Sequence, residues 1–244
     1  MREALGPPTF PLPPVRAHEE ELMDLPGQDP VLVDECLDDL RRLNRFTGGV
    51  SLTVFALARL TRELAPGADL EILDVATGGG DFPRAMAAWA RRRGLRARVL
   101  ATDLNPRILG RAARGASPSV DFAVADARRL PFDDGAFDVA TCSLLLHHLE
   151  PEDAVLMLKE MRRVARRGVI VNDLVRSWIG YLGGLVVPRM MSRNSLFRHD
   201  APLSVRRAYT RAEMATLADR AGLGPVRFHG LPGYRVTMTT GGPP

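Results

Sequence analysis

ILDVATGGGDF, residues 72–82, runs from an apolar strand into three consecutive glycines, with Asp74 before them and Asp81 after. Glycine carries no Cβ, so a loop of this kind lets a ligand approach the backbone. Downstream, short apolar runs alternate with helical ones. LEILDVA (70–76) predicts a strand and DFPRAMAAWARRRG (81–94) a helix; ARVLATD (97–103) a strand and NPRILGRAARG (105–115) a helix; VDFAVAD (120–126) and FDVATCS (137–143) strands. PEDAVLMLKEMRRVA (151–165) reads as a helix with Pro151 near its start, and GVIVND (168–173) as a strand. This rhythm predicts a parallel sheet with helices on both faces. At the end, Thr210 and Glu213 make a capping box. VRFHGL (226–231) and YRVTMTT (234–240), joined at Pro232-Gly233, read as strands that must be antiparallel if they pair directly.

Upstream of the glycines lie a proline-rich stretch (1–17), read as an unstructured arm, and a helical cap (18–66). Within the cap, Val33, Leu37, Leu40 and Leu43 follow the helical period, and VSLTVFALARLTREL (50–64) forms a further apolar helix. The 244 residues fit one main domain, here 67–244, and 45% apolar composition supplies a sizeable core. The formal charge is only +4, although Lys159 is the sole lysine and arginine is abundant. RRRGLRAR (91–98) and RRVARR (162–167) read as solvated helix ends rather than a nucleic-acid surface. Cys36 and Cys142 are too few for a disulfide framework or a zinc cluster. With no apolar leader core at the N-terminus, a cytoplasmic location is expected. SWIGYLGGLVVP (177–188) is shorter than the ~20 residues of a membrane helix, so lipid contact would be peripheral.

The glycine loop discriminates among nucleotides. Aligned on the dinucleotide fingerprint, it places Pro83 at the third glycine and Asp81 where a pyrophosphate would sit. Carboxylates on both flanks repel a diphosphate and suit a cation, which argues against a nicotinamide dehydrogenase. No Gly-Lys-Ser/Thr follows, which excludes a P-loop. S-adenosylmethionine (SAM) carries a sulfonium, an ammonium and one carboxylate, and matches this electrostatics. Asp103, ending the second strand, is placed to accept both ribose hydroxyls, and Asp126, ending the third, to accept the adenine amine.

LDVATGGGD, ATDLNP, VADARRLPFDDGAFDVATCSLLLHHL and YTRAEMATLADRAGL together resemble the class I SAM-dependent methyltransferases, over about residues 70 to 240. Ala76 stands where that family more commonly has its first glycine, a substitution tolerated in the ubiquinone/menaquinone C-methyltransferase branch. The resemblance implies a Rossmann-like α/β fold with a seven-stranded sheet in order 3-2-1-4-5-7-6, strand 7 antiparallel. It implies SAM contacts at Asp74, Ala76, Thr77, Gly78, Gly80, Asp103, Leu104, Asp126, Ala127 and Ser143. DDLRRLNRFTGG and RHDAPLSVRRAYT resemble bacterial methyltransferases of phenolic polyketide pathways, which implies secondary metabolism.

CSLLLHHL occupies the position of the Asn/Asp-Pro-Pro-Tyr/Phe loop found in nucleic-acid and protein amide methyltransferases, so a small hydrophobic acceptor is expected. Ser143 cannot replace the metal-holding carboxylate of catechol-type enzymes, so no metal is expected. His147, His148 and Asp173 converge on one sheet edge as a candidate base, with His148–Asp173 the expected pair. The insertion 174–209 would supply the acceptor wall through Trp178, Tyr181, Leu182, Leu185, Met190 and Met191, with His199 a further contact. Residues 18–46 would close over SAM, Arg45 meeting the methionine carboxylate. Oxygen of a phenol, hydroquinone or aromatic polyketide is the expected acceptor atom. Ring-carbon methylation is the alternative, and a non-catalytic SAM-fold protein a more distant one.

Overall fold

The computed structural model describes residues 15–114, 117–231 and 233–241. Residues 1–14 of the expected arm, Gly115 at the expected end of its helix, and Pro232 of the expected turn lie outside them. The sheet has seven strands: β1 (Asp69–Val75), β2 (Arg96–Asp103), β3 (Val120–Val124), β4 (Phe137–Ser143), β5 (Ala165–Leu174), β6 (Arg227–Leu231) and β7 (Arg235–Gly241). Their order is 3-2-1-4-5-7-6, and β7 runs antiparallel to β5 and β6 while the others are parallel.

Alternate residues of each strand feed opposite faces, as a pleat requires. Leu73, Val75, Ala140, Cys142, Val169 and Val171 join one core, with α5 (Pro151–Val164) and α8 (Arg211–Arg220) packed on it. Leu70, Ile72, Val139 and Ile170 join the other, under α2 (Gly49–Leu60) and α3 (Asp81–Arg92), while α4 (Pro106–Ala113) connects β2 to β3. Both cysteines are buried, and burial pushes the Cys36 thiol up to about 12, which leaves it unreactive.

The parallel strands β1, β2, β4 and β5 finish at one edge, at Val75, Asp103, Ser143 and Leu174. Over this edge sits a roof. It is built from α1 (Pro30–Phe46), capped by Asp29, with α6 (Trp178–Met191) and α7 (Ser195–Arg207) of the insertion. Val33, Cys36 and Leu37 pack against Leu196 and Phe197, tying α1 to α7.

Three boundaries differ from the sequence reading. Residues 15–17 belong to the fold: the Ala17 N–H donates to the Arg206 carbonyl, and Arg16 reaches the Arg207 and Leu149 carbonyls and Glu150. The expected cap 18–66 divides, since Ala56, Leu57 and Leu60 commit α2 to the sheet face and only α1 roofs the site. β5 begins at Ala165 rather than 168, because Arg167 pairs with Asp138 and Glu63 and so keeps its charge satisfied in an extended strand. The arginine runs are likewise engaged: Arg96 with Asp69, and Arg163 with Glu160 and Asp134.

Candidate active site

Between the strand-end edge and the roof lies a cavity of about 340 Å³. Its floor is the glycine loop (Ala76 to Gly79), Asp81, Phe82, Ser143 and Leu144, and its walls carry His147, His148, Tyr234 and Arg235. Gly78 and Gly80 take positive φ (52° and 72°), which glycine adopts without a Cβ penalty. Ala76 does the same at φ 54°, which explains why glycine would suit that position and why alanine there carries strain. Leu144 (φ 58°), directly after β4, is a second such residue.

The cavity collects unsatisfied groups. The Ser143 hydroxyl and the Arg235 Nη2 are buried without a hydrogen-bond partner, and both residues line it; the Thr77 hydroxyl, also on the wall, lies close enough to Asp74 to lower its carboxyl pKa. Buried polar atoms are rarely left unpaired, so two at one cavity mark a place for a polar ligand. The donors and φ-positive turns fit SAM: a backbone loop with room for close approach, acids at Asp81 and Asp103, and no lysine for phosphate.

The expected cofactor residues divide. Ala76, Thr77, Gly78 and Ser143 line the cavity. Gly80 is the N-cap of α3, and Asp103 stands beside the loop, its carboxylate accepting from the Gly78 and Asn105 N–H groups (both 3.0 Å). Leu104 is exposed next to it. Asp126 is held by Arg128 (2.8 Å), and Ala127 packs on the core rather than facing the cavity. Asp74 lies beneath the loop, 1% exposed, accepting from the Thr141 hydroxyl (2.6 Å) and lining nothing. Arg45 is exposed and outside the cavity, because the helical phase of α1 turns Leu40, Arg41, Leu43 and Asn44 inward instead.

Burial pushes the Asp74 carboxyl up to about 7, against the Thr141 hydrogen bond and helped by Asp81 and Asp103. The folded protein therefore holds a proton there that the unfolded chain releases near pH 4, and stability falls as pH rises from about 4 to about 7. Asp74→Asn, which mimics the protonated acid, is expected to raise the apo-protein melting temperature at pH 8 while changing it little at pH 4. Equal shifts at both pH values would contradict this.

The histidines pair differently from expectation. They sit in a 3-10 turn (Leu146–His148) with their rings 4.3 Å apart, yet their Nδ1 atoms meet different carboxylates. His147, 3% exposed, brings its Nδ1 within 2.6 Å of Asp173 Oδ1, so Asp173 partners His147 and not His148. Burial works against the Asp173 charge, but His147 and the Leu174 N–H hold the carboxyl below its ordinary value. His147 Nδ1–H donates to the Asp173 carboxylate, and its Nε2 stands 3.5 Å from Glu21 Oε1. His148 Nδ1 instead meets Asp24 Oδ2 at 2.7 Å. Burial disfavours its charge, yet Glu21 and Asp24 outweigh that and raise its pKa to about 9, making it a cation at neutral pH. Glu21 and Asp24 are not singled out in the sequence reading, which takes their segment, here a 3-10 turn (Leu22–Asp24), as part of the helical cap. EEELMD offered no periodic signal, and only the roof brings it to the histidines. Glu21, His147 and His148 also present a carboxylate oxygen and two imidazole nitrogens within 4.8 Å of one another, a donor set open to a metal ion.

The cavity is lined by the opposite face of α6 from the one expected to meet an acceptor. Ile179, Gly183, Gly184, Val187 and Pro188 line the cavity with Ala201, Ser204 and Val205 of α7. Trp178, Leu182 and Met190 point outward, Met190 being 81% exposed, and Leu185 lines no part of the cavity. Tyr181 packs with Leu174, Val205 and Ala208; Met191 lies in a separate recess beside Arg193; His199 hydrogen-bonds Asp200. The reason is close packing: a Cβ on Gly184 would stand 3.0 Å from the Ala201 carbonyl and Pro202, so α6 must present its small residues to α7.

A family model described as "Methyltransferase domain" matches residues 72–168. The chain is 31% identical to the ubiquinone/menaquinone biosynthesis C-methyltransferase UbiE of Burkholderia vietnamiensis, over 70% of this chain and 74% of that protein. UbiE of Burkholderia mallei is 30% identical with the same coverage. Among solved structures, human N-acetylserotonin methyltransferase in complex with SAM is similar with a TM-score of 0.59 at 15% identity, covering 90% of this chain and 61% of that one. The citrinin polyketide synthase CMeT domain is similar with a TM-score of 0.60 at 14% identity, covering 80% and 52%. At these identities the structural likenesses speak for the fold alone.

Proposed function

The chain belongs to the class I SAM-dependent methyltransferases, and from that premise we propose that it methylates a small hydrophobic acceptor on oxygen, the hydroxyl of a phenol, hydroquinone or aromatic polyketide. The observation that carries this reading is the Asp173–His147 pair, buried at the wall of an apolar cavity that also contains the glycine loop.

SAM supplies an electrophilic methyl on sulfur and leaves as S-adenosylhomocysteine. The chain's task is to align an oxygen nucleophile with that methyl and to receive the phenolic proton. His147 Nε2 takes the proton as the acceptor oxygen bonds to the methyl carbon and the carbon–sulfur electron pair returns to sulfur. Asp173 fixes the tautomer and stabilises the resulting imidazolium. His148 is already charged at neutral pH and cannot share this role. Pro188 and Val205, both buried, keep water from the acceptor.

Metal-free transfer is part of the proposal, since Ser143 at the end of β4 offers no carboxylate; the Glu21, His147 and His148 donor set is what the metal test addresses. Full activity after exhaustive EDTA dialysis is expected, and activity restored only by added metal would contradict it. The alternative of ring-carbon methylation is favoured by the C-methyltransferase activity for which the UbiE relatives are named. A phenol whose ortho and para positions are all substituted separates the two: oxygen transfer still methylates it, whereas ring-carbon transfer finds no open position.

Asp103 should matter for affinity. Its carboxylate holds the glycine loop through Gly78, and in the proposed complex it accepts from the ribose hydroxyls. Charged hydrogen bonds of this kind contribute ~1.5–3 kcal/mol, so Asp103→Ala is expected to weaken SAM by ~10–100-fold in calorimetry. An unchanged Kd would remove Asp103 from the site.

A further inference from the structure

Arg235 is 1% exposed, lies on the cavity wall, and has no carboxylate within ion-pair distance among the described residues. Its guanidinium is clamped by neutral groups. Nε donates to Asn172 Oδ1 (2.7 Å) and Nη1 to Asn44 Oδ1 (2.6 Å), while Nη2 has no partner. Asn172 is itself anchored to the Gly49 carbonyl and the Thr53 hydroxyl, both at 2.7 Å. Gly49 leaves the space: a Cβ there would fall 2.4 Å from Arg235 Nη1. A buried cation without an anion is expensive, and a rigid fork with one free N–H arm is suited to a carboxylate.

The same asparagine reaches an acid. Asn44 Nδ2 donates to Asp81 Oδ2 (3.2 Å), and Asn44, Asp81 and Arg235 all line the cavity. A positive and a negative receptor thus stand one amide side chain apart. A simple carboxylate at Arg235 would meet the field of Asp81, whereas a ligand carrying an ammonium beside its carboxylate satisfies both.

We propose that Arg235, Asn44 and Asp81 form a receptor for an α-amino-acid zwitterion, Arg235 taking the carboxylate and Asp81 the ammonium. This rests on the SAM reading, which supplies the methionyl end as the zwitterion. It assigns to a β7 arginine the role expected of Arg45. It also couples cofactor to roof, because Asn44 belongs to α1 and bridges the two receptors.

The test uses the full chain and calorimetric titration of SAM beside decarboxylated SAM, which keeps the amine and lacks the carboxylate. Wild type is expected to bind the decarboxylated form ~10–100-fold more weakly. Arg235→Met should bind both forms alike, at the weaker level. Asp81→Asn should weaken both and preserve their ratio. Equal binding of the two by wild type overturns the proposal, as does discrimination that survives in Arg235→Met. Should Arg235→Met fail to fold, Asn44→Leu, which removes the acceptor that holds Nη1, takes its place and should narrow the discrimination; unchanged discrimination there overturns the proposal. Benzoate titrated into the S-adenosylhomocysteine complex tests the other source of a carboxylate, the acceptor: binding that depends on Arg235 overturns the cofactor assignment. Failure to bind SAM at all would refute the cofactor reading, whereas binding without discrimination refutes only the receptor.

Discussion

His147→Ala is expected to slow methyl transfer by about 10²–10⁴-fold, the usual contribution of a positioned general base, while SAM affinity stays near that of wild type. His147 reaches the cavity from the 3-10 turn after β4, and its Nδ1–H is committed to Asp173. Its loss removes the proton acceptor without disturbing Ala76–Gly79 or Asp103. Asp173→Asn should be similarly slow, because an amide no longer enforces the tautomer that leaves Nε2 free. His148→Ala should retain most activity, since its partners are Asp24 and Glu21 and its charge bars it from accepting a proton. A melting curve for each variant separates lost chemistry from lost fold. If His147→Ala keeps full activity, transfer relies on alignment alone; if His148→Ala is the slow variant, the base has been misassigned.

Removing residues 1–46 is expected to abolish measurable SAM binding. The truncation takes Glu21, Leu37, Leu40, Arg41, Leu43 and Asn44 from the cavity wall and exposes Leu196 and Phe197. It also strips Arg235 of one of its two hydrogen-bond acceptors. The sheet and its two cores do not depend on α1, so circular dichroism should report a folded remainder. Leu37→Asp offers a gentler break of the α1–α7 contact and should weaken SAM without truncation. A truncated protein that binds SAM as tightly as the full chain would show that the roof plays no part in the site.

Much of this architecture is legible in the sequence because it is local. Strand-to-loop transitions such as ILDVATGGGDF, the capping box at Thr210, and Asp103 at a strand end all declare themselves within a few residues. What escapes is long-range. Arg235 reads as a strand residue, and nothing near it signals that Asn44 and Asn172, far away in the chain, will clamp it. Glu21 and Asp24 meet the histidines only because α7 carries the segment there through Asp200 and Ser204. The acceptor wall misled for another reason: bulk was taken as the mark of a pocket, whereas helix packing through Gly184 turns the small face of α6 inward. Likewise His147 and His148 are adjacent in sequence, and only the fold decides which one meets Asp173.

The central claim is that the methyl of SAM goes to oxygen, with His147 as the base. It is tested most directly by carbon NMR of the product formed from methyl-labelled SAM and an alkyl-substituted hydroquinone whose ring still offers a free carbon. The account predicts a single labelled methoxy resonance, strongly reduced in His147→Ala. A labelled methyl on ring carbon, the outcome that the UbiE relatives' activity would suggest, contradicts it.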